Sequence, residues 1–198
     1  MWLVLASRSP RRREILSWLR PDFEALDPRV DELTEGLSPD DLVLENARRK
    51  ARAGLALASL PDSGDLLVLG VDTEVFLDGR ALGQPEDRAQ AEERLRALSG
   101  REHTVLSGVC LLRPHDDSER VAVARSAVTF NELGEGQLTA YLDSEEWRGR
   151  AGGYAIQGLG SILIRRVEGD FSNVVGLPIA TLLELAPEIA EGRFPHRQ

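Results

Sequence analysis

Apolar positions follow two rhythms along this chain: short unbroken runs, and stripes spaced three and four residues apart. Leu3-Val4-Leu5-Ala6 is an unbroken run, and residues 2 to 6 are predicted to form a short buried strand. Ser9 before Pro10 has the chemistry of an N-cap and a first helical residue, so a helix is predicted from there, with Ile15, Leu16 and Leu19 as its stripe. Ser38-Pro39-Asp40-Asp41 has the capping-box pattern. It opens a second helix whose inner face is Val43, Ala47, Ala51, Leu55 and Ala58. Pro61-Asp62-Ser63-Gly64 reads as a turn, and Leu66 to Val71 as a strand covered on both faces. Asp78-Gly79 predicts a hairpin. A third helix fits residues 86 to 98, stopped by Ser99-Gly100. Strands fit 103 to 113 and 119 to 130, a helix fits 134 to 144, and Ile162-Leu163-Ile164 is another strand. Pro178 opens a last helix with Ile179, Leu182, Leu183 and Leu185 apolar, and the tail after Ala190 reads as frayed. Strands alternating with helices, with one antiparallel pair, predict an α/β fold: a mixed sheet with helices on its faces.

The 198 residues fit one domain, 1–198, or one with a small appendage. No run is long enough to span a bilayer, and the arginines follow the apolar start instead of preceding it, so the default expectation is a cytoplasmic protein with no membrane partner. The one cysteine, Cys110, lies in an apolar run and reads as core. His103, His115 and His196 have no metal-binding spacing and read as structural or surface residues. The net charge of −9 argues against a nucleic-acid polymer as partner. Yet basic residues cluster at Arg8, Arg11, Arg12 and Arg13, and again at Arg48, Arg49, Lys50 and Arg52, which suits a small polyanion.

Three arginines in the first turn of a helix conflict with the positive end of the helix dipole. An anion on that turn removes the conflict, bound by free N–H groups, the hydroxyls of Ser7 and Ser9, and guanidinium forks; the alternative is arginines turned to solvent. The glycines of a Walker loop or a dinucleotide fingerprint are missing. Asp72 directly follows a buried strand, where α/β sheets bind ligands, and could take a proton from water, bind a metal, or cap the next turn. Asp31-Glu32 is an acidic loop pair; beside phosphates such carboxylates serve as Mg²⁺ ligands. Residues 151 to 160 place many glycines around Gln157, either a plain turn or a backbone that closely approaches a base edge.

Several of these segments occur together in a known order. Ser7-Arg8-Ser9-Pro10-Arg11-Arg12, Val30-Asp31-Glu32, Ala47-Arg48-Arg49-Lys50-Ala51, Gly70-Val71-Asp72-Thr73, Leu98-Ser99-Gly100, Ala151 through Gly158, and Val175-Gly176-Leu177-Pro178 resemble the Maf family of nucleoside triphosphate pyrophosphatases, nearly end to end. The resemblance implies a fold like the inosine triphosphate pyrophosphatases, with two lobes around a central cleft. It implies hydrolysis of a nucleoside triphosphate to monophosphate and pyrophosphate with a divalent cation, Mg²⁺ or Mn²⁺. It makes Asp72 the proton acceptor, Glu32 and Asp72 metal or water ligands, and Ser7, Arg12 and Lys50 phosphate holders. Arg11, Thr73 and Gln157 would set base choice, in the pattern of the dTTP/UTP branch.

Two positions depart from the family pattern. Gln84 stands where a lysine is common, which predicts weaker triphosphate binding unless Arg80 or Arg88 reaches in. Glu74 stands where an apolar residue is usual and is expected to face solvent on the hairpin. Two rival functions remain: a non-catalytic nucleotide-binding regulator, since the family is associated with arrest of septum formation, and clearance of inosine or other modified nucleotides. Base rates among oligomers point to a homodimer.

Overall fold

The computed structural model describes residues 1–59 and 65–191. The turn expected at Pro61–Gly64, His196 and the tail beyond Glu191 lie outside the described residues. Strand β1 (Trp2–Ala6) leads into helix α1 (Pro10–Leu19), whose N-cap Ser9 accepts the Arg12 N–H and whose buried stripe is Ile15, Leu16 and Leu19. A short strand not anticipated, β2 (Glu24–Leu26), precedes α2 (Pro39–Leu57), capped by Ser38. Then come β3 (Leu66–Leu77), β4 (Arg80–Ala81), α3 (Arg88–Leu98), β5 (Glu102–Arg113) and β6 (Ser118–Phe130). The chain closes with α4 (Glu135–Asp143), β7 (Ile164–Glu168), an unanticipated α5 (Phe171–Val175) and α6 (Ile179–Leu185).

The sheet runs β2-β1-β3-β5-β6-β7, with β4 also on β3. It is mixed, with flanking helices, as expected, but more antiparallel than the single expected pair. Only β2, β1 and β3 run parallel, while β4 and β5 on β3, β6 on β5, and β7 on β6 are antiparallel. Periodicity identifies strands but not their direction, which depends on where each connection packs. The last strand also starts later than expected. Residues Gly158–Leu163 form a 3-10 helix, because Asn131 ties down both Leu163, N–H to carbonyl at 2.8 Å, and the Ile162 carbonyl, by its amide at 3.1 Å.

The strand expected to end at Val71 continues to Leu77, since Asp72 through Phe76 pair with Gly108 through Thr104. Asp72 is therefore inside a strand and caps no turn. The strand crosses two cores. Leu67, Leu69 and Val71 pack with α1 and α6 around Leu16, Leu177 and Leu182. Val75 and Leu77 pack with α3 and α4 around Leu95, Tyr141 and Trp147. Asp72-Thr73-Glu74 lies between these cores, where a polar cleft opens.

Helix α2 lies flat on the sheet because two strand glycines let it. A Cβ on Gly70 would overlap the Ala47 carbonyl, and one on Gly108 the Val43 carbonyl. The approach sets the next turns of α2 directly over Asp72. His103 is buried against Tyr154 and Phe130, its Nε2 2.8 Å from the Tyr154 hydroxyl, and burial pulls its pKa down to about 4. Cys110 is buried, which pushes its thiol up to about 12 and keeps it an inert core residue.

Candidate active site

The cleft has a volume of about 580 Å³ and is lined by every sequence-predicted site residue: Ser7, Arg11, Arg12, Glu32, Lys50, Asp72, Thr73, Gln84 and Gln157. Its floor is a charged triad. Lys50 Nζ lies 2.6 Å from Asp72 Oδ1 and 2.5 Å from Glu32 Oε1. Asp72 and Lys50 are buried, whereas the Glu32 side chain is 48% exposed.

Lys50 is the only member of its basic cluster that faces the cleft. Arg48 and Arg52 pair with Glu119, and Arg49 pairs with Glu45. A helix turns about 100° per residue, so consecutive positions cannot share one face. The expectation that this whole cluster serves a polyanion is corrected to one residue.

Asn46 was not singled out from sequence, and it organises the triad. Its Oδ1 accepts the Leu33 N–H at 2.8 Å, and its Nδ2 donates to the Leu33 carbonyl at 2.9 Å and to Asp72 Oδ2 at 3.3 Å. One amide thus fixes the loop behind Glu32 to the strand that carries Asp72. The signal was present: Asn46 and Lys50 are polar residues four apart on the apolar face of α2, so both must be satisfied in the interior.

Across the cleft the Ser-Arg loop is preorganised. Arg12 Nε donates to the Gly176 carbonyl at 2.8 Å, Nη1 to Ser7 Oγ at 3.3 Å, and Nη2 to Thr73 Oγ1 at 3.0 Å. Ser7 Oγ also accepts the Ser9 N–H. Burial lowers the Arg12 pKa, with the charges of Asp72 and Glu32 opposing. An arginine cannot lose its proton in practice, so this is a buried cation suited to an anion. Thr73 Oγ1 also lies 2.7 Å from Ser107 Oγ and 3.3 Å from the Gly176 carbonyl. The hydroxyl is thus occupied in positioning Arg12. Arg11 is half-buried at the rim, while Arg13 is turned outward, 3.5 Å from the Ser7 carbonyl.

Gln157 is exposed in the cleft lining, in a loop held by Glu146, whose carboxylate accepts the N–H groups of Leu159 and Gly160, each at 3.0 Å. Gln84 is exposed and lines the cleft. Neither Arg80 nor Arg88 lines the cleft; Arg88 pairs with Asp143 at 2.7 Å. Glu74 does not face solvent as expected. It shares the cleft-facing side of β3 with Asp72, two residues on. Its Oε1 accepts the N–H groups of Val75 at 2.7 Å and Gly83 at 3.0 Å. Burial, aided by the charges of Asp72 and Glu32, pushes its pKa up to about 7 despite those two bonds.

Among the described residues no group of three or more His, Cys, Asp or Glu side chains is placed to cage a metal. What the cleft offers a hard cation is two carboxylates, Glu32 and Asp72, converging on one point now filled by an ammonium. Magnesium commonly takes one or two carboxylates and completes its shell with water and substrate phosphates, so the residues present fit such an ion. Among the described residues no helix is long and apolar enough to cross a membrane.

Residues 2–189 match the family described as Maf-like protein. The dTTP/UTP pyrophosphatase of Syntrophus aciditrophicus is 40% identical over 194 residues, covering 97% of this chain and 92% of the relative. That of Alkalilimnicola ehrlichii is 43% identical over 188 residues, covering 94% and 92%. That of Moorella thermoacetica is 46% identical over 184 residues, covering 92% of each.

Proposed function

The chain belongs to the Maf family, and from that premise we propose that it hydrolyses nucleoside triphosphates, dTTP and UTP foremost, to the monophosphate and pyrophosphate, as one domain acting in the cytoplasm. The observation that carries the reading is the meeting, in one cleft, of the buried Asp72–Lys50–Glu32 triad and the Arg12 cation held by Ser7, Thr73 and Gly176.

Asp72 takes a proton from water, whose oxygen forms a bond to the α-phosphorus. The bond from that phosphorus to the bridging oxygen breaks, and the electron pair leaves with pyrophosphate. Lys50 and Arg12 stabilise the charge that develops on the leaving group. Arg12 is already ordered, so little is lost in reorganising it. Arg11 and Gln157, both in the cleft lining, read the base, and Thr73 acts through Arg12. Glu32 and Asp72 would hold Mg²⁺ or Mn²⁺, which when bound supplies positive charge to the phosphates.

The test is release of pyrophosphate from a panel of dTTP, UTP, inosine triphosphate and modified triphosphates with Mg²⁺. Faster turnover of dTTP and UTP supports the reading. Binding of UTP without any pyrophosphate would replace it with a regulator, and preference for modified nucleotides would replace the substrate.

A further inference from the structure

Of the cleft-lining cations that the mechanism above leaves unused, Arg8 and Arg29 both pair with Asp27, whereas Arg150 has no such partner among the described residues. Arg150 lines the cleft, as do Gln84 and Glu74. Its Nε donates to the Glu146 carbonyl at 3.3 Å, while its Nη1 is buried without a partner. No carboxylate pairs with it among the described residues. Desolvation lowers its pKa, and no anionic neighbour opposes the effect. Arg150 is half-buried, and a guanidinium with a wholly buried, unpartnered Nη1 and no counter-ion is costly in a folded protein unless a ligand completes it.

The surroundings point the same way. The segment carrying Arg150 is tied to the wall that carries Gln84: the Gly152 N–H donates to the Gly83 carbonyl at 2.9 Å, and Arg94 Nη1 donates to the same carbonyl at 2.9 Å. Gly83 is also held through its N–H by Glu74. The uncharged Gln84 thus stands on a fixed wall to which the Arg150 segment is bonded two residues on, at Gly152. Trp147 and Glu146 anchor the other side, since the Arg150 N–H donates to the Trp147 carbonyl at 3.2 Å.

We propose that Arg150 is a substrate-binding residue that grips the polyphosphate tail of the nucleotide, supplying positive charge on a wall where Gln84 carries none. The inference rests on the hydrolase reading for its substrate, but its ligand chemistry is that of a condensed phosphate alone. A forked guanidinium can hold two phosphate oxygens at once, with geometry a lone ammonium cannot match.

The test measures binding of inorganic tripolyphosphate and of UMP by calorimetry to the wild-type chain and to Arg150→Ala, Arg150→Lys and Arg150→Ala/Gln84→Lys, alongside the KM for UTP. Arg150→Ala is expected to weaken tripolyphosphate and raise KM by roughly tenfold to a hundredfold, the loss of one charge-assisted hydrogen-bonding partner, with UMP binding unchanged. Arg150→Lys should retain most of the affinity, and Gln84→Lys should restore it in the alanine background. Unchanged tripolyphosphate binding in Arg150→Ala, an equal loss for UMP, or failure of Gln84→Lys to restore binding overturns the proposal. If Arg150→Ala does not fold, Arg150→Met carries the same comparison. A wild type that binds tripolyphosphate through Arg150 yet hydrolyses no triphosphate would defeat the hydrolase reading and leave this one standing.

Discussion

Lys50 and Asp72 meet from different elements, a helix and the strand beneath it, with nitrogen and oxygen 2.6 Å apart and both side chains 8% exposed. The contact exists because Gly70 and Gly108 let α2 settle onto the sheet. It joins packing to chemistry, since whatever lifts the helix also separates the base from its neighbouring cation.

Asp72→Asn keeps the shape of the side chain and its bond from Asn46, so the fold should survive. Its turnover should fall by about 10²- to 10⁴-fold, the usual contribution of a general base. Steady-state pyrophosphate release checks this, and substantial residual activity would remove Asp72 from that role.

Gly108→Ala places a methyl group against the Val43 backbone, which cannot yield as a flexible side chain would. The expected cost is about 1–3 kcal/mol from overpacking, with most activity lost as well. Urea unfolding reads the first and turnover the second. Gly136→Ala is the control, since it lies in α4 with nothing near its added Cβ and should gain up to about 1 kcal/mol from helix propensity. Equal behaviour of the two variants would contradict the close approach of α2.

Asn46→Leu leaves the N–H and carbonyl of Leu33 without their partners. Unsatisfied polar groups of this kind cost about 1–3 kcal/mol. The loop behind Glu32 should loosen, and more Mg²⁺ should be needed for half-maximal rate. A Mg²⁺ titration that superimposes on the wild type would show that Asn46 does not support Glu32.

His103 provides a pH test away from the cleft floor. Its folded pKa of about 4 lies below the ordinary 6.5, so the unfolded chain binds the proton more readily. Stability contributed by the neutral ring is therefore complete above pH 6.5 and is lost as pH falls from 6.5 towards 4. Relative to His103→Gln, the wild type should lose on the order of 3 kcal/mol across that window, at about 1.4 kcal/mol per pKa unit. Denaturant midpoints at several pH values measure it, and a constant difference between the two proteins would refute it.

Local chemistry explains why much of the fold was legible. Ser9 and Ser38 cap the helices they were expected to open, and Asp78-Gly79 makes the expected reversal, with φ of 52° and 77°. The motif residues were also found in one cleft. What escaped was Asn46, the inward aim of Glu74 and the presence of Arg150, because each depends on a neighbour far away in sequence. The solvent-facing expectation for Glu74 failed for this reason: its Oε1 is captured by Gly83, nine residues on, where the β3–β4 turn brings the chain back.

By itself the sequence determined the caps, the stripes, the buried runs and a set of polar residues that match a phosphate chemistry, since these follow from residue type and spacing. Only the tertiary structure decided which of them act together. Helical rotation turns Lys50 inward and its three basic neighbours outward. Strand pairing carries β3 through Asp72 instead of stopping before it. Two cores on either side of Asp72-Thr73-Glu74 hold the cleft open between them. These outcomes come from contacts between segments remote in the chain, which no local pattern encodes.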